Sequence, residues 1–302
     1  MIDHDHSYDD RSNLPFEDVQ GVQKILGEHN YLASRGLATA VLLSLRMRRP
    51  LLLEGEAGVG KTQVAKTIAR VLGSDLIRLQ CYEGIDSAQA LYEWDYGRQL
   101  LFARALQDGQ PNAEERTRQL YGPEFLLSRP LLQAIRAGER AVLLIDEIDR
   151  ADDEFEAFLI EVLSDFTVTI PELGTIRAAT PPAVILTSNR TRELHDALKR
   201  RCMYHWIDFP DFDRELEIVR QWAPAASERL AYSVVTAVGQ LRSLDLVKRP
   251  GSAEAIDWAN ALAMMGADEV TRETGRDTLG WVIKNHDDLR LHNGSLGEVL
   301  GG

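Results

Sequence analysis

A glycine-rich segment followed by lysine and threonine has the residue types needed to surround a phosphate group. Residues 55–62 fit the pattern GxxxxGK(S/T) at every fixed position, between a predicted strand and a predicted helix. Glycines allow close backbone approach, so that N–H groups and a helix N-terminus can contact phosphate oxygens. Lys61 would add charge at the β- and γ-phosphates, and Thr62 would give Mg2+ a hydroxyl ligand. The predicted phosphate-binding residues are Gly55, Glu56, Ala57, Gly58, Val59, Gly60, Lys61 and Thr62.

An acidic pair follows a continuous apolar run at residues 141–145. The run has the pattern of a central parallel strand buried on both faces. Asp146 and Glu147 follow its carboxyl end, the side of a parallel sheet on which the glycine-rich loop must also lie. Asp146 would hold Mg2+, directly or through water, and Glu147 would orient and polarise the water that attacks the γ-phosphate. Alone, such a pair is more often a solvated strand end or a helix cap, and a glycine-rich turn is the corresponding alternative for the loop.

The elements that must position these motifs alternate between strand and helix up to about residue 210. Strands are predicted at residues 51–54, 76–81, 141–146 and 183–187, with a hairpin at about 166–178. Helices are predicted at 61–72 and 153–163, with two more inside 19–48. Beyond residue 210, four helices are predicted, at 214–222, 228–241, 253–265 and 268–283. Strands alternating with helices predict a parallel sheet covered on both faces.

The predicted fold class is therefore α/β with a parallel sheet. Because residues 55–62 resemble the phosphate loop of P-loop NTPases, we expect the αβα sandwich of that class, followed by a C-terminal α-helical lid domain. Residues 1–14 are expected to be a flexible polar tail. Residues 15–210 are expected to form the nucleotide-binding domain, with an insertion at about 82–120. Residues 211–302 are expected to form the helical lid domain.

Composition indicates a folded protein and disfavours several classes. The chain has 302 residues, 44% hydrophobic and 27% charged, close to globular averages. No apolar run approaches the ~20 residues that span a bilayer, and residues 1–13 lack a secretory pattern, so a cytoplasmic protein without an integral membrane span is expected. The net charge of −13 disfavours nucleic acid as a partner and favours protein.

Cys81 and Cys202 are expected to be buried thiols, and the Asp-His-Asp-His run at residues 3–6 is interpreted as tail rather than metal site.

Together these motifs resemble those of AAA+ ATPases. Residues 55–62 look like a Walker A motif, residues 142–147 look like a Walker B motif, and Asn189 looks like the sensor-1 asparagine. The resemblance implies ATP and Mg2+ as cofactors, hydrolysis of ATP to ADP and phosphate, and a role for Asn189 in placing the attacking water. The stretch 196–202 resembles the segment that carries an arginine finger into the neighbouring subunit's site. Arg201 matches the finger best by position and Arg200 is second, while a solvated basic helix end is the alternative.

Within AAA+, the chain resembles the MoxR family over about residues 15–265. Residues 50–55, residues 146–151 and the predicted hairpin carry this resemblance. Residues 81–86, 91–94 and 200–202 resemble the CoxD-type branch, which is associated with maturation of carbon monoxide dehydrogenase and related molybdenum hydroxylases. The resemblance implies a hexameric ring, a von Willebrand A domain protein as partner and a metalloenzyme as client.

Two positions depart from the family pattern. Where many members carry a sensor-2 arginine, the best alignment places Ala253, and Lys248 or Arg249 is the alternative cation. At the end of the second strand, Gln80 replaces a common asparagine; it could restrain Glu147 by a hydrogen bond or be an ordinary strand-end glutamine.

The predicted function is Mg2+-dependent ATP hydrolysis that drives remodelling or maturation of a protein client. One alternative is a nucleotide-dependent assembly switch in which turnover is incidental. Another is a nucleic-acid helicase, suggested by the run Asp146-Glu147-Ile148-Asp149. The negative charge and the lack of an evident basic, aromatic-rich face count against the helicase.

Overall fold

The computed structural model describes residues 14–105 and 119–291 of the chain. Residues 1–13 of the predicted tail, including the Asp-His-Asp-His run, lie outside the described residues. The same holds for residues 106–118 of the predicted insertion and residues 292–302 of the predicted lid domain.

The secondary structure alternates as predicted in the first two thirds of the chain and is helical thereafter. The strands are β1 (Leu51–Gly55), β2 (Asp75–Gln80), β3 (Tyr92–Trp94), β4 (Leu126–Ser128), β5 (Ala141–Asp146), β6 (Thr167–Ile170), β7 (Gly174–Arg177), β8 (Ala183–Ser188) and β9 (Met203–Ile207). The α-helices are α1 (Val19–Glu28), α2 (Arg35–Arg46), α3 (Lys61–Val71), α4 (Ser87–Leu91), α5 (Tyr96–Ala105), α6 (Pro130–Ala137), α7 (Asp153–Asp165), α8 (Asp196–Arg201), α9 (Phe212–Trp222), α10 (Glu228–Ser243), α11 (Ser252–Met264), α12 (Arg272–Thr278) and α13 (His286–Leu291).

The main sheet has five strands in the order β2-β5-β8-β1-β9. Strands β5 and β8 are buried at every residue, as expected for continuous apolar runs in the middle of a sheet. The pairs β2–β5, β5–β8 and β1–β8 are parallel, so the predicted parallel sheet is confirmed. The carboxyl ends of these four strands therefore lie at one edge, where the sequence places its candidate site residues.

The described residues form two compact units. The first takes residues 14–54 and 62–205, and the second takes residues 55–61 and 206–291. In the first unit, buried side chains of α6 and α7, such as Leu132 and Leu159, pack with those of β5 in one apolar core. In the second unit, the core surrounds Trp258 of α11, whose indole N–H donates to the Thr278 hydroxyl at 2.7 Å. Among the described residues, no helix combines the length and the apolar character needed to cross a bilayer.

Some elements differ from the prediction. The short β3 lies in the region predicted as an insertion and pairs antiparallel with β4, which lies beyond that region. Strand β9 and helix α6 were not predicted. The single helix predicted at residues 268–283 is wrong. The Thr271 hydroxyl accepts from the Thr274 backbone N–H, so α12 begins only at Arg272, and it ends at Thr278 before a 3-10 turn.

A buried ion pair joins two helices of the second unit. Arg242 of α10 donates to both oxygens of Glu215 of α9, at 2.5 and 2.7 Å. The Ser252 hydroxyl donates to the same carboxylate at 3.1 Å, and Arg242 Nε donates to the Pro250 carbonyl at 2.7 Å. The guanidinium also lies 4.4 Å from the ring centroid of Phe209. The Arg242 and Glu215 side chains are only 11% and 2% exposed, so each depends on the other for charge compensation.

We expect Arg242→Met to lower the free energy of unfolding by about 3–5 kcal/mol, because it leaves the Glu215 carboxylate buried and unpaired. Urea unfolding followed by circular dichroism measures this change. The matched control is Arg220→Met, which removes the exposed pair between Arg220 and Glu228; its expected cost is less than about 1 kcal/mol. Equal costs for the two variants would contradict the assigned role of the buried pair.

Candidate active site

The glycine-rich loop is built around the ammonium group of Lys61, the first residue of α3. Its Nζ donates to the carbonyls of Gly55 at 2.7 Å and Glu56 at 2.6 Å, and the residue is 6% exposed. Gly58 and Gly60 have φ angles of 79° and 92°, a region that disfavours side chains. The sequence folds here into a turn that only its glycines permit, with a buried cation beside its carbonyls.

The first turn of α11 contacts this loop within the second unit. The Ala253 backbone N–H donates to the Gly58 carbonyl at 3.2 Å. A Cβ on Gly58 would lie 2.6 Å from a Glu254 carboxylate oxygen, and one on Gly251 would lie 2.7 Å from the Ala57 carbonyl. Gly251 is therefore required by close approach to the backbone of the loop, and Gly58 by its φ of 79°. Ala253, which the resemblance aligns with a sensor-2 arginine, brings only a backbone N–H to the loop.

The two predicted magnesium ligands are in direct contact in the first unit. The Thr62 hydroxyl donates to Asp146 Oδ1 at 3.0 Å, and the Thr187 hydroxyl donates to the same oxygen at 2.6 Å. Asp146 is 2% exposed at the carboxyl end of β5. The structure thus brings the last residue of the predicted phosphate loop together with the first residue of the acidic pair.

Asp146 also has a cationic partner that the sequence analysis missed. Arg78 of β2 donates to Asp146 Oδ2 through Nε at 2.9 Å and through an Nη at 2.6 Å. Gln80 is the register partner of Asp146, and Arg78 lies two residues earlier on β2, hence on the same strand face as Gln80. That alternation is the signal that could have identified Arg78.

Glu147 is held in an unusual backbone conformation beside Asp146. Its φ and ψ are 55° and 50°, its N–H donates to the Thr187 hydroxyl at 2.9 Å, and its carboxylate pairs with Arg150 Nε at 2.8 Å. Left-handed torsions at a residue other than glycine are costly and cluster at functional sites. The possible restraint by Gln80 is not observed, because the Gln80 amide contacts Arg78 and the Cys81 carbonyl instead.

Comparison with known proteins shows the family of this chain. Residues 50–202 match the family of AAA domains described as the dynein-related subfamily. The chain belongs to this family. As an AAA domain it is a P-loop nucleoside triphosphatase by fold, and the MoxR-like character seen in its motifs is consistent with the family.

The AAA domain also has more distant relatives. It is 25% identical to Protein NorQ of Paracoccus denitrificans over 202 residues, 65% of each chain. It is 23% identical to an uncharacterised protein of Staphylococcus haemolyticus over 245 residues, 77% of this chain and 85% of that protein. Among solved structures, it is similar to RuvB of Thermotoga maritima, a Holliday junction branch migration motor, at 17% identity and a TM-score of 0.45, covering 85% of this chain and 68% of that one.

The three remaining predicted catalytic residues are Asn189, Arg200 and Arg201. Asn189 follows β8 and is half-buried; Arg200 and Arg201 end α8 and are exposed. Arg201 donates to the Ile160 carbonyl at 3.0 Å. Over residues 14–105 and 119–291, no partner is found for the side chains of Asn189 and Arg200, and neither arginine contacts Asp146.

The residues present fit a nucleotide with Mg2+. A threonine hydroxyl and a carboxylate are the oxygen ligands that Mg2+ takes, usually together with water and substrate phosphates. The Lys61 ammonium and the glycine torsions suit phosphate. Thr62 and Asp146 would hold the metal ion, and residues 55–61 would hold the phosphates.

The cysteines of the AAA domain are buried thiols, as predicted. Burial raises the pKa of Cys81 to about 12, and the nearby Asp146 carboxylate adds to the shift. Burial likewise raises the pKa of Cys202 to about 12. Both thiols stay protonated near neutral pH and do not supply a nucleophile to the site.

Proposed function

We propose that this AAA domain protein hydrolyses Mg2+-bound ATP and uses the energy to remodel or mature a protein client. The contact of the Thr62 hydroxyl with Asp146 at 3.0 Å is the observation that carries the proposal. It joins the phosphate loop to the acidic strand end, and a nucleotide-bound metal ion needs ligands from both.

The residues have separate roles in this proposal. Lys61 and the loop N–H groups bind the phosphates, and Glu147 orients and polarises the attacking water, with Asn189 as a second group that places it. The Thr187 hydroxyl holds both acidic residues, because it accepts from the Glu147 backbone N–H and donates to Asp146 Oδ1. Bound Mg2+ supplies charge that neutralises the phosphate oxygens.

The client proposal rests on resemblance to the CoxD-type branch. It names a metalloenzyme such as a molybdenum hydroxylase as client, with a von Willebrand A domain protein and a hexameric ring. Part of the CoxD-like segment serves folding, since Asp86 and Gln89 form the capping box of α4 and Trp94 is buried. Tyr82 and Glu83 stay exposed, and these are the residues that we propose contact a partner.

We expect the active site to be completed by an arginine of a neighbouring subunit. Arg200→Ala or Arg201→Ala should then lower ATP hydrolysis by at least about 100-fold while ATP still binds, because a finger arginine stabilises transition-state charge. Arg201 is the better positional match, but its guanidinium donates to the Ile160 carbonyl, whereas the Arg200 guanidinium has no partner among the described residues. Phosphate release at increasing protein concentration measures the effect.

Mixing two inactive variants supplies the decisive comparison. The inactive arginine variant mixed with Glu147→Gln should recover part of the activity, since mixed assemblies contain sites with both groups intact. Lys199→Ala is the control, because this neighbouring cation already contacts Glu193. Activity that is independent of concentration and unaffected by either arginine would contradict the shared site. Absence of phosphate release under any assembly condition would remove the ATPase proposal itself.

A further inference from the structure

The carboxylate of Asp146 has its acceptor positions filled by residues of this chain. Oδ1 accepts from the hydroxyls of Thr62 and Thr187, and Oδ2 accepts from two N–H groups of Arg78. A carboxylate offers about four acceptor positions. A metal ion that uses Asp146, directly or through water, must therefore displace one of these donors.

Of these donors, Arg78 is the one free to leave. Its side chain is 52% exposed on β2, at the edge of the main sheet, whereas the Asp146 side chain is 3% exposed. A half-exposed guanidinium can turn into water without disturbing the core, and bound Mg2+ would then supply the positive charge that the buried Asp146 carboxylate needs. The Thr62 hydroxyl can keep its proton on Asp146 and still offer oxygen lone pairs to a metal ion.

The charge of Arg78 also favours its departure when a metal ion binds. A buried carboxylate without a cation is strongly destabilised, so Arg78 stabilises the metal-free site. With Mg2+ present, a guanidinium at the same oxygen would repel the metal ion over a few ångströms. The same residue is thus favourable before the metal binds and unfavourable afterwards.

We propose that Arg78 is a positioning residue that neutralises Asp146 in the metal-free protein and gives up this contact when Mg2+ binds with nucleotide. It thereby lowers the affinity of the site for Mg2+ and keeps the carboxylate in place between nucleotides. This inference rests on the proposed function, because it takes Asp146 to be the residue that faces the metal ion.

The test is a magnesium titration of the full chain at fixed ADP. The readout is the thermal unfolding midpoint, and the quantity compared is the Mg2+ concentration that gives half of the maximal rise. For Arg78→Met we expect this concentration to fall on the order of tenfold, since a competing charge is removed. We also expect a lower midpoint without metal. Arg70→Met is the charge-matched control, because Arg70 is exposed in the last turn of α3 and has no partner among the described residues.

A second comparison needs no metal. Arg78→Met should lower the midpoint of the otherwise unchanged protein but not that of Asp146→Asn, whose amide needs no cation. If Arg78→Met does not fold, Arg78→Lys keeps the charge but loses the two-point hydrogen bonding to Asp146. The half-maximal Mg2+ concentration should still fall. An unchanged or higher concentration in the variant that folds would overturn the inference and leave the ATPase proposal standing. Absence of any Mg2+ response in the unsubstituted protein would overturn both.

Discussion

Lys61→Ala is expected to reduce ATP hydrolysis by about 100-fold or more, the scale on which removal of one group that stabilises transition-state charge acts. The Lys61 ammonium is buried and contacts the carbonyls of Gly55 and Glu56. In the proposed complex the ammonium faces the β- and γ-phosphates. Its loss therefore removes a positive charge beside the oxygens on which negative charge increases in the transition state. ATP affinity should fall together with the rate.

Phosphate release and fluorescent-nucleotide binding measure the two effects. Lys66→Ala is the matched control, because Lys66 is an exposed lysine on the same helix α3 with no partner among the described residues. The control should keep full activity. Since Lys61 also satisfies two carbonyls, circular dichroism must show that the variant is folded. A folded Lys61→Ala protein with normal turnover would exclude residues 55–62 as the phosphate site.

Glu147→Gln is expected to lower hydrolysis by roughly 100- to 10,000-fold, the range attributed to a positioned general base. The amide has nearly the same shape but cannot polarise water as a carboxylate does. ATP binding should remain, because Glu147 is assigned no phosphate contact. Single-turnover hydrolysis and nucleotide binding separate the two quantities.

Glu154→Gln is the control, an equal change at an exposed residue of the first turn of α7. The same Glu147 variant separates a motor from a switch. If it traps ATP and no longer acts on a client, the remodelling function is supported. If it assembles with its partner and remains active while locked with ATP, hydrolysis is incidental and the assembly switch is the better description.

The central part of the site could be predicted because local sequence determines it. A continuous apolar run such as β5 can be buried on both faces only inside a sheet, and parallel pairing then places Asp146 at a known edge. The glycine spacing of the loop has a similarly direct steric meaning. Thr62 and Asp146 were therefore named from sequence as residues that share a site.

Contacts set by tertiary pairing could not be predicted in this way. Arg78 reaches Asp146 only because β2 pairs with β5 in one register. The sequence of neither strand determines which strand it pairs with. Arg150 pairs with Glu147 across a 3-10 turn, a partner that the sequence did not indicate; a restraint by Gln80 was one of two interpretations left open there. Strand β9 mixes polar and aromatic residues at the sheet edge, so its pattern is weak. The roles of Asn189, Arg200 and Arg201 remain predictions.

The close approach of Gly58 and Gly251 imposes a shared evolutionary constraint on two distant parts of the sequence. Residue 251 cannot gain a side chain unless the backbone of residues 57 and 58 moves. Residue 58 cannot gain one without displacing the Glu254 carboxylate and taking a left-handed φ of 79°, so drift at each position is limited by the other part of the sequence. A lineage that acquired an arginine in this corner could not place it at residue 251. Ala253 is exposed and next to the loop, which makes it the position open to that change.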